Sequence, residues 1–257
     1  MIVTGGRALI LGVEFDLVHY VHALETIEHW RGSGQRHFVT FTNGRGVILS
    51  SRDRHFRRAL ARATLTLPDG IGIILAAKLF GYAENGRVTG PSFMLQLSEW
   101  GCPRGYRHFF YGGSQGVAHG LAERLCAKYP GIRVVGTHCP PFRALTEDED
   151  AAVISKINAT RPDVLWVALG APKQEKWMAS HEGRIHAAAM IGVGAAFDFH
   201  AGRIKWAPAW VRRLGMEWLY RAIRDPRRVA PRAKHTLLFA AKVFCEAALR
   251  SVRRARR

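Results

Sequence analysis

Six short runs of this chain are apolar almost without interruption: RALILGV (7–13), HFVTFT (37–42), RHFFYG (107–112), IRVVGT (132–137), VLWVALG (164–170) and AAAMIGVG (187–194). A strand with one solvated face alternates polar and apolar residues, whereas a strand covered on both faces needs apolar side chains in both directions. Between the runs lie stretches with helical spacing. Asp16 is positioned to cap LVHYVHALETIEHW, in which Leu17, Tyr20, Val21 and Leu24 share one face. Ser114 is positioned to cap QGVAHGLAERLCAKY, and the acidic EDED at 147–150 suits the positive end of the helix after it. This alternation predicts an α/β class fold: a doubly wound, mostly parallel, Rossmann-like sheet.

The pattern changes after Gly202, where the chain becomes helical in tendency, tryptophan-rich and basic, with prolines at 208, 226 and 231 set to break it. The expected organisation is an α/β domain over 1–202 and a basic helical appendage over 203–257, within the size of one large domain. The net charge of +18 is divided unevenly: residues 203–257 hold 16 Lys and Arg against 3 Asp and Glu. A basic tail binds polyanions, which means nucleic acid, anionic lipid or a phosphorylated substrate. The body carries no recognisable nucleic-acid module, so nucleic acid is not the expected partner. No apolar run approaches the ~18 residues of a membrane span, and the opening MIVTGGRALILGVEFD does not read as a signal peptide. The four cysteines are scattered without paired spacing, which argues against a disulfide framework or a zinc site.

Ligands of open α/β sheets gather at the carboxyl ends of the strands, and four loops there are informative. In LTLPDGIG (65–72), Asp69 is either a helix cap or a general base facing the crevice. Amides at a helix start would weaken it as a base, so burial has to push the other way. In RVTGPS (87–92), Arg87 offers a fixed positive charge, Thr89 and Gly90 allow close approach to a phosphate or sugar, and Ser92 is a candidate cap. In YGGSQG (111–116), Gly112 and Gly113 precede a helix start whose amides suit a diphosphate, although the full dinucleotide fingerprint is missing. In VALGAPKQEKW (167–177), Gly170 leads to Lys173, Gln174 and Glu175, polar side chains set over the crevice; Gln174 both donates and accepts, as sugar hydroxyls require. Asp198, in GVGAAFDFHAG (192–202), reads as a ligand, a cap or a solvated charge.

LPDGIGIILAAKLFG, RVTG, YGGSQGVA, YPGIRVVGTH, TRPDVLWVALGAPKQEKW, IGVGAAFDFHAGRIKWAP and RLGMEWLYRAIRDPRR follow one another from about Asn43 to Arg228. This ordered set resembles the WecG/TagA/CpsF family of glycosyltransferases. The resemblance implies transfer of a sugar (N-acetylmannosamine, its uronic acid or glucose) from a UDP donor to a polyprenyl-diphosphate-linked sugar during cell-surface polysaccharide synthesis. It implies Asp69 as catalytic base, Gln174 at the active site, Asn43 beside Thr42 in the early TxN-type motif, and Arg221, Arg224 and Arg228 on a segment that closes over the site and meets the acceptor's diphosphate. Phe41 stands where many members have threonine, and Ser92 where others have aspartate. The expected mechanism is a single inverting displacement. No DxD motif stands in a strand-end loop, so helix N-termini and tail arginines are expected to neutralise the departing UDP without a metal or other cofactor.

In the tail, Leu237, Leu238, Ala241, Phe244, Ala248 and Leu249 fall near one helical face, with arginines at the end. Such a helix either lies on an anionic membrane surface or packs on the body. A lipid acceptor favours the membrane, so the enzyme is expected at the cytoplasmic face as a peripheral protein. A homo-oligomer remains compatible with an apolar face of this kind.

Overall fold

The structure, a computed structural model, describes residue 3, residues 5–83 and residues 86–255, with the backbone alone at 228, 229, 232 and 253–255. The chain opens with two antiparallel strands, β1 (Gly6–Ile10) and β2 (Val13–Leu17), which form a separate two-stranded sheet. The expected strand over 7–13 is therefore wrong in kind. RALILGV contains the hairpin's turn, with Leu11 and Gly12 both at positive φ, and joins no parallel sheet. Asp16 is not a helix cap either. It lies in β2, and its carboxylate accepts from the Thr66 amide at 2.8 Å and from Arg7 at 3.0 Å. Burial pushes its pKa up, against the pull of those two donors. The helix it was expected to start, α1 (Tyr20–Ser33), begins later behind His19, and Val21 is exposed.

A single parallel sheet follows, built from β3 (His37–Thr42), β4 (Leu65–Pro68), β5 (Arg107–Gly112), β6 (Arg133–His138), β7 (Val164–Ala168) and β8 (Ala189–Gly192). Its order is β4-β3-β8-β7-β5-β6, with every pairing parallel. Successive residues of one strand serve opposite cores. Val164, Trp166 and Ala168 pack into the layer that also holds Trp30, Phe93 and Leu121, while Leu165 and Val167 pack with Phe38, Ile157 and Met178. This is why these segments are apolar throughout. The helices α2 (Gly44–Ser50), α3 (Arg54–Arg62), α4 (Ile71–Leu79), α5 (Gly90–Gly101), α6 (Val117–Lys128), α7 (Glu147–Ala159), α8 (Lys173–His181) and α9 (Ala196–His200) connect the strands across both faces.

Two helix starts differ from expectation and one agrees. Gly116, not Ser114, precedes α6, and its left-handed backbone (φ 77°) shows why glycine stands there. Thr89, not Ser92, precedes α5, with Pro91 in the first turn. The EDED segment opens α7, where Thr146 and Glu149 close a reciprocal capping box.

The C-terminal segment comprises α10 (Ala209–Arg213), α11 (Glu217–Arg224) and α12 (Pro226–Ala255). Pro231 was expected to interrupt the last of these but sits inside a continuous helix of 30 residues. It removes one i→i−4 hydrogen bond close to the helix start, and packing farther along holds the rest. Phe239 and Val243 are buried in a third core with Val47, Ile48, Ile73 and the hairpin. Phe239 lies so close to α2 and α4 that a Cβ on Gly44 would fall 2.7 Å from its ring. Leu237, Phe244, Leu249 and Val252 face away from this contact and are exposed.

Candidate active site

β3 and β4 end side by side, and the Asp69 amide donates to the Thr42 carbonyl at 3.1 Å, which fixes the turn after β4. Asp69 does not cap α4. Gly70 holds that position without a side-chain bond, and the Asp69 carboxylate instead accepts from the Gly90 amide at 3.2 Å. Gly90 is itself tightly placed, since a Cβ there would meet the Phe41 ring at 3.4 Å and Val193 at 3.7 Å. The preceding residue, Thr89, donates its amide to the Tyr20 hydroxyl at 2.9 Å. Asn43 caps α2 by accepting from the Gly46 amide at 3.2 Å, and its Cβ lies beside Gly70.

Charge surrounds the carboxyl. Arg87 and Glu217 form an ion pair at 3.7 Å, both mostly buried, and the Arg87 guanidinium also donates to the Arg212 carbonyl. Arg221, one turn after Glu217 on α11, lies over the Phe199 ring at 4.6 Å and acts electrostatically on Asp69. Asp69 keeps part of its surface open to solvent, yet protein packs densely around its carboxyl. That desolvation raises its pKa to about 7. The Gly90 amide pulls it down, Glu217 pushes it up, and Arg221 and Arg87 oppose Glu217. The tension between helix start and burial is therefore resolved in favour of burial.

A second buried carboxyl stands nearby in the fold. Gln174 and Glu175, read from the sequence as polar side chains over the crevice, are only 4% and 1% exposed. Gln174 Nε2 donates to Glu175 Oε1 at 2.8 Å, and Gln174 packs beneath the Gly192–Gly194 turn. Burial raises the Glu175 carboxyl to about 7, opposed by the Gln174 bond and by Arg45. Lys173 is the exposed member of that trio.

The structure thus gathers Asp69, Thr42, Asn43, Arg87, Thr89, Gly90 and Arg221 at one edge of the sheet, with Gln174 joined to them through the Gly192–Gly194 turn and Val193. Gly112, Gly113 and Gly170 lie farther along, at the ends of β5 and β7. Gly113 donates to the Ala168 carbonyl, and a side chain on Gly112 would collide with Ala168 backbone at 2.6 Å. Arg224 is exposed and lies over the Tyr220 ring at 5.6 Å. The Arg228 side chain falls outside the described residues. Asp198 belongs to the first turn of α9.

Sequence reasoning missed Glu217, the Tyr20 hydroxyl and the burial of Glu175. Glu217 sits in MEWLYR beside the noted arginines, but no local pattern signals an ion pair across 130 residues of chain. Among the described residues no three His, Cys, Asp or Glu side chains cluster as metal ligands, and no helix is long and apolar enough to cross a membrane.

Fold and site together are those of an α/β protein with a carboxyl of raised pKa among fixed cations at the carboxyl edge of its sheet. A sequence model of the glycosyl transferase WecG/TagA/CpsF family matches residues 8–254, and the chain belongs to this family of glycosyltransferases. Among curated relatives, N-acetylglucosaminyldiphosphoundecaprenol N-acetyl-beta-D-mannosaminyltransferase of Bacillus spizizenii (strain ATCC 23059 / NRRL B-14472 / W23) is 30% identical over 84% of this chain and 81% of its own length. The protein of that name from Bacillus subtilis (strain 168) is 28% identical over 84% of this chain and 82% of its own. The one from Staphylococcus aureus (strain MW2) is 28% identical over 91% of both.

Proposed function

We propose that this enzyme moves an N-acetylmannosamine-type sugar from a UDP donor to a sugar carried on polyprenyl diphosphate, with inversion at the anomeric carbon. The carrying observation is the Asp69 carboxyl, raised to about 7 on a residue that is itself only partly buried, with Arg87 and Arg221 acting on it. A carboxylate with this proton affinity suits base catalysis near neutral pH. Asp69 takes the proton of the acceptor hydroxyl while that oxygen bonds to the anomeric carbon. The bond from the anomeric carbon to the diphosphate oxygen breaks on the opposite face, and UDP carries the electron pair away. Arg87 and Arg221 are the fixed cations suited to the charge on the departing diphosphate, so turnover should persist in a chelator. The relatives' names support the lipid-diphosphate acceptor and the mannosaminyl group that is transferred.

The lipid acceptor calls for contact with the inner face of the membrane. Exposed Leu237, Phe244, Leu249 and Val252 on α12, joined by Trp210, Trp218 and Ile223 on α10 and α11, supply an apolar surface within a strongly basic segment. The test of the catalytic reading is Asp69→Asn, which keeps shape and a hydrogen-bond acceptor for Gly90. UDP release with a UDP-sugar panel and a polyprenyl-diphosphate acceptor analogue, in EDTA, should fall ~100- to 10,000-fold. Near-normal turnover of a folded Asp69→Asn protein removes the base assignment.

A further inference from the structure

The guanidinium of Arg87, a candidate substrate-binding residue, is also engaged by the C-terminal segment in this structure. It donates to the Arg212 carbonyl at the end of α10 and pairs with Glu217 at the start of α11, both ion-pair side chains being 17% exposed. The backbone between those two partners is pressed against the body. Gly215 lies where a Cβ would come within 2.8 Å of Ile71 and 3.3 Å of the Arg87 guanidinium, and its φ of 72° suits glycine alone. Ile71 stands two residues after Asp69, so this docking point adjoins the base. Glu217 and Arg221 are four residues apart on α11 and therefore reach the same side.

We infer that Glu217 is a positioning residue for transfer: its pairing with Arg87 docks α11 over Asp69 and brings a second carboxylate beside the base. The inference rests on Asp69 being that base. The groups facing Asp69 are Arg87 from the loop before α5, the Gly90 amide, and Glu217 and Arg221 from α11. The end of β3 and the first turn of α4 offer Thr42, Asn43, Ile71, Gly72 and Ile73, none of which titrates. Of the charged neighbours, Glu217 alone favours the proton on Asp69, while both arginines oppose it. When the diphosphate of a donor offsets the two guanidiniums, Glu217 is the neighbour whose effect on Asp69 persists. Base strength and closure of the C-terminal segment are coupled through one side chain.

The test is the pH profile of kcat/KM for full-length Glu217→Gln, Glu217→Asp and Asp69→Asn, with whichever UDP-sugar the panel finds active. Glu217→Gln keeps size and an acceptor for Arg87 but removes the charge, and its acid limb should move down by roughly half to one pH unit. Glu217→Asp should return the limb toward the native position, which a merely structural contact would not require. An unmoved limb in Glu217→Gln, with Asp69→Asn inactive, overturns the role of Glu217 and leaves the base in place. Turnover by Asp69→Asn instead overturns the base and this inference with it. Should Glu217→Gln not fold, Glu217→Ala decides: a limb moved down supports the coupling, and a native limb overturns it.

Discussion

At the carboxyl ends of β3, β4 and β8, the candidate site residues are held by backbone bonds and close packing, whereas α11, which brings Glu217 and Arg221, has no fully buried residue. The first region is fixed wherever the sheet forms. The second is held by an ion pair, by the jammed Gly215 and, through α12, by Phe239 and Val243 in the hairpin core. The proposed base thus sits on the rigid partner, and charges that act on it arrive on an element with little packing of its own. That division suits the lipid-linked acceptor proposed above, whose bulk the cover would have to admit.

Phe239 is the strongest link between the two regions. If α12 unfolds together with the body, Phe239→Ala should cost about 3 kcal/mol in denaturant unfolding, as a buried phenylalanine does. An unchanged midpoint alongside faster proteolysis of the tail would mean that the segment is an independent attachment. A smaller effect sharpens the rigid side. Burial holds the Glu175 carboxyl at about 7, above its usual range, so its contribution to stability is complete below the ordinary carboxylate pKa and lost as pH rises through about 7. Glu175→Gln should therefore remove about 2 kcal/mol of the native protein's loss of stability between pH 5.5 and 8.5. Identical slopes for both proteins would contradict the buried, neutral acid. The smallest stability effect belongs to the exposed face: Phe244, 68% exposed, should tolerate serine within ~0.5 kcal/mol. Co-sedimentation with anionic vesicles should nevertheless drop several-fold for Phe244→Ser, and undiminished binding would take this face out of the membrane contact.

Much of the body was legible in the sequence because a parallel strand must be apolar toward both layers, as Val164–Ala168 is. The first run deceived for the same reason. RALILGV reads as continuous, yet Leu11 takes a positive φ unusual for an aliphatic residue, Gly12 beside it is the one local sign of the turn, and the alternation of a hairpin lies beneath it. Asp16 looked like a helix cap because caps are local, while its actual partner, the Thr66 amide, lies 50 residues away. At the site, Asp69, Asn43, Arg87 and Gln174 were visible as unusual residues in strand-end loops. Their surroundings were not: whether Asp69 caps a helix or stands over a crevice depends on Gly90 and α11, which only the folded chain brings there.

In the proposed mechanism burial makes Asp69 a base fitted to neutral pH, and the pH dependence of kcat/KM for the native enzyme reads this out. Activity should fall tenfold per unit below a limb near pH 7, as Asp69 takes up its proton, and level off above it. A limb near pH 4, where an ordinary aspartate titrates, or a flat profile across that range, would contradict the account.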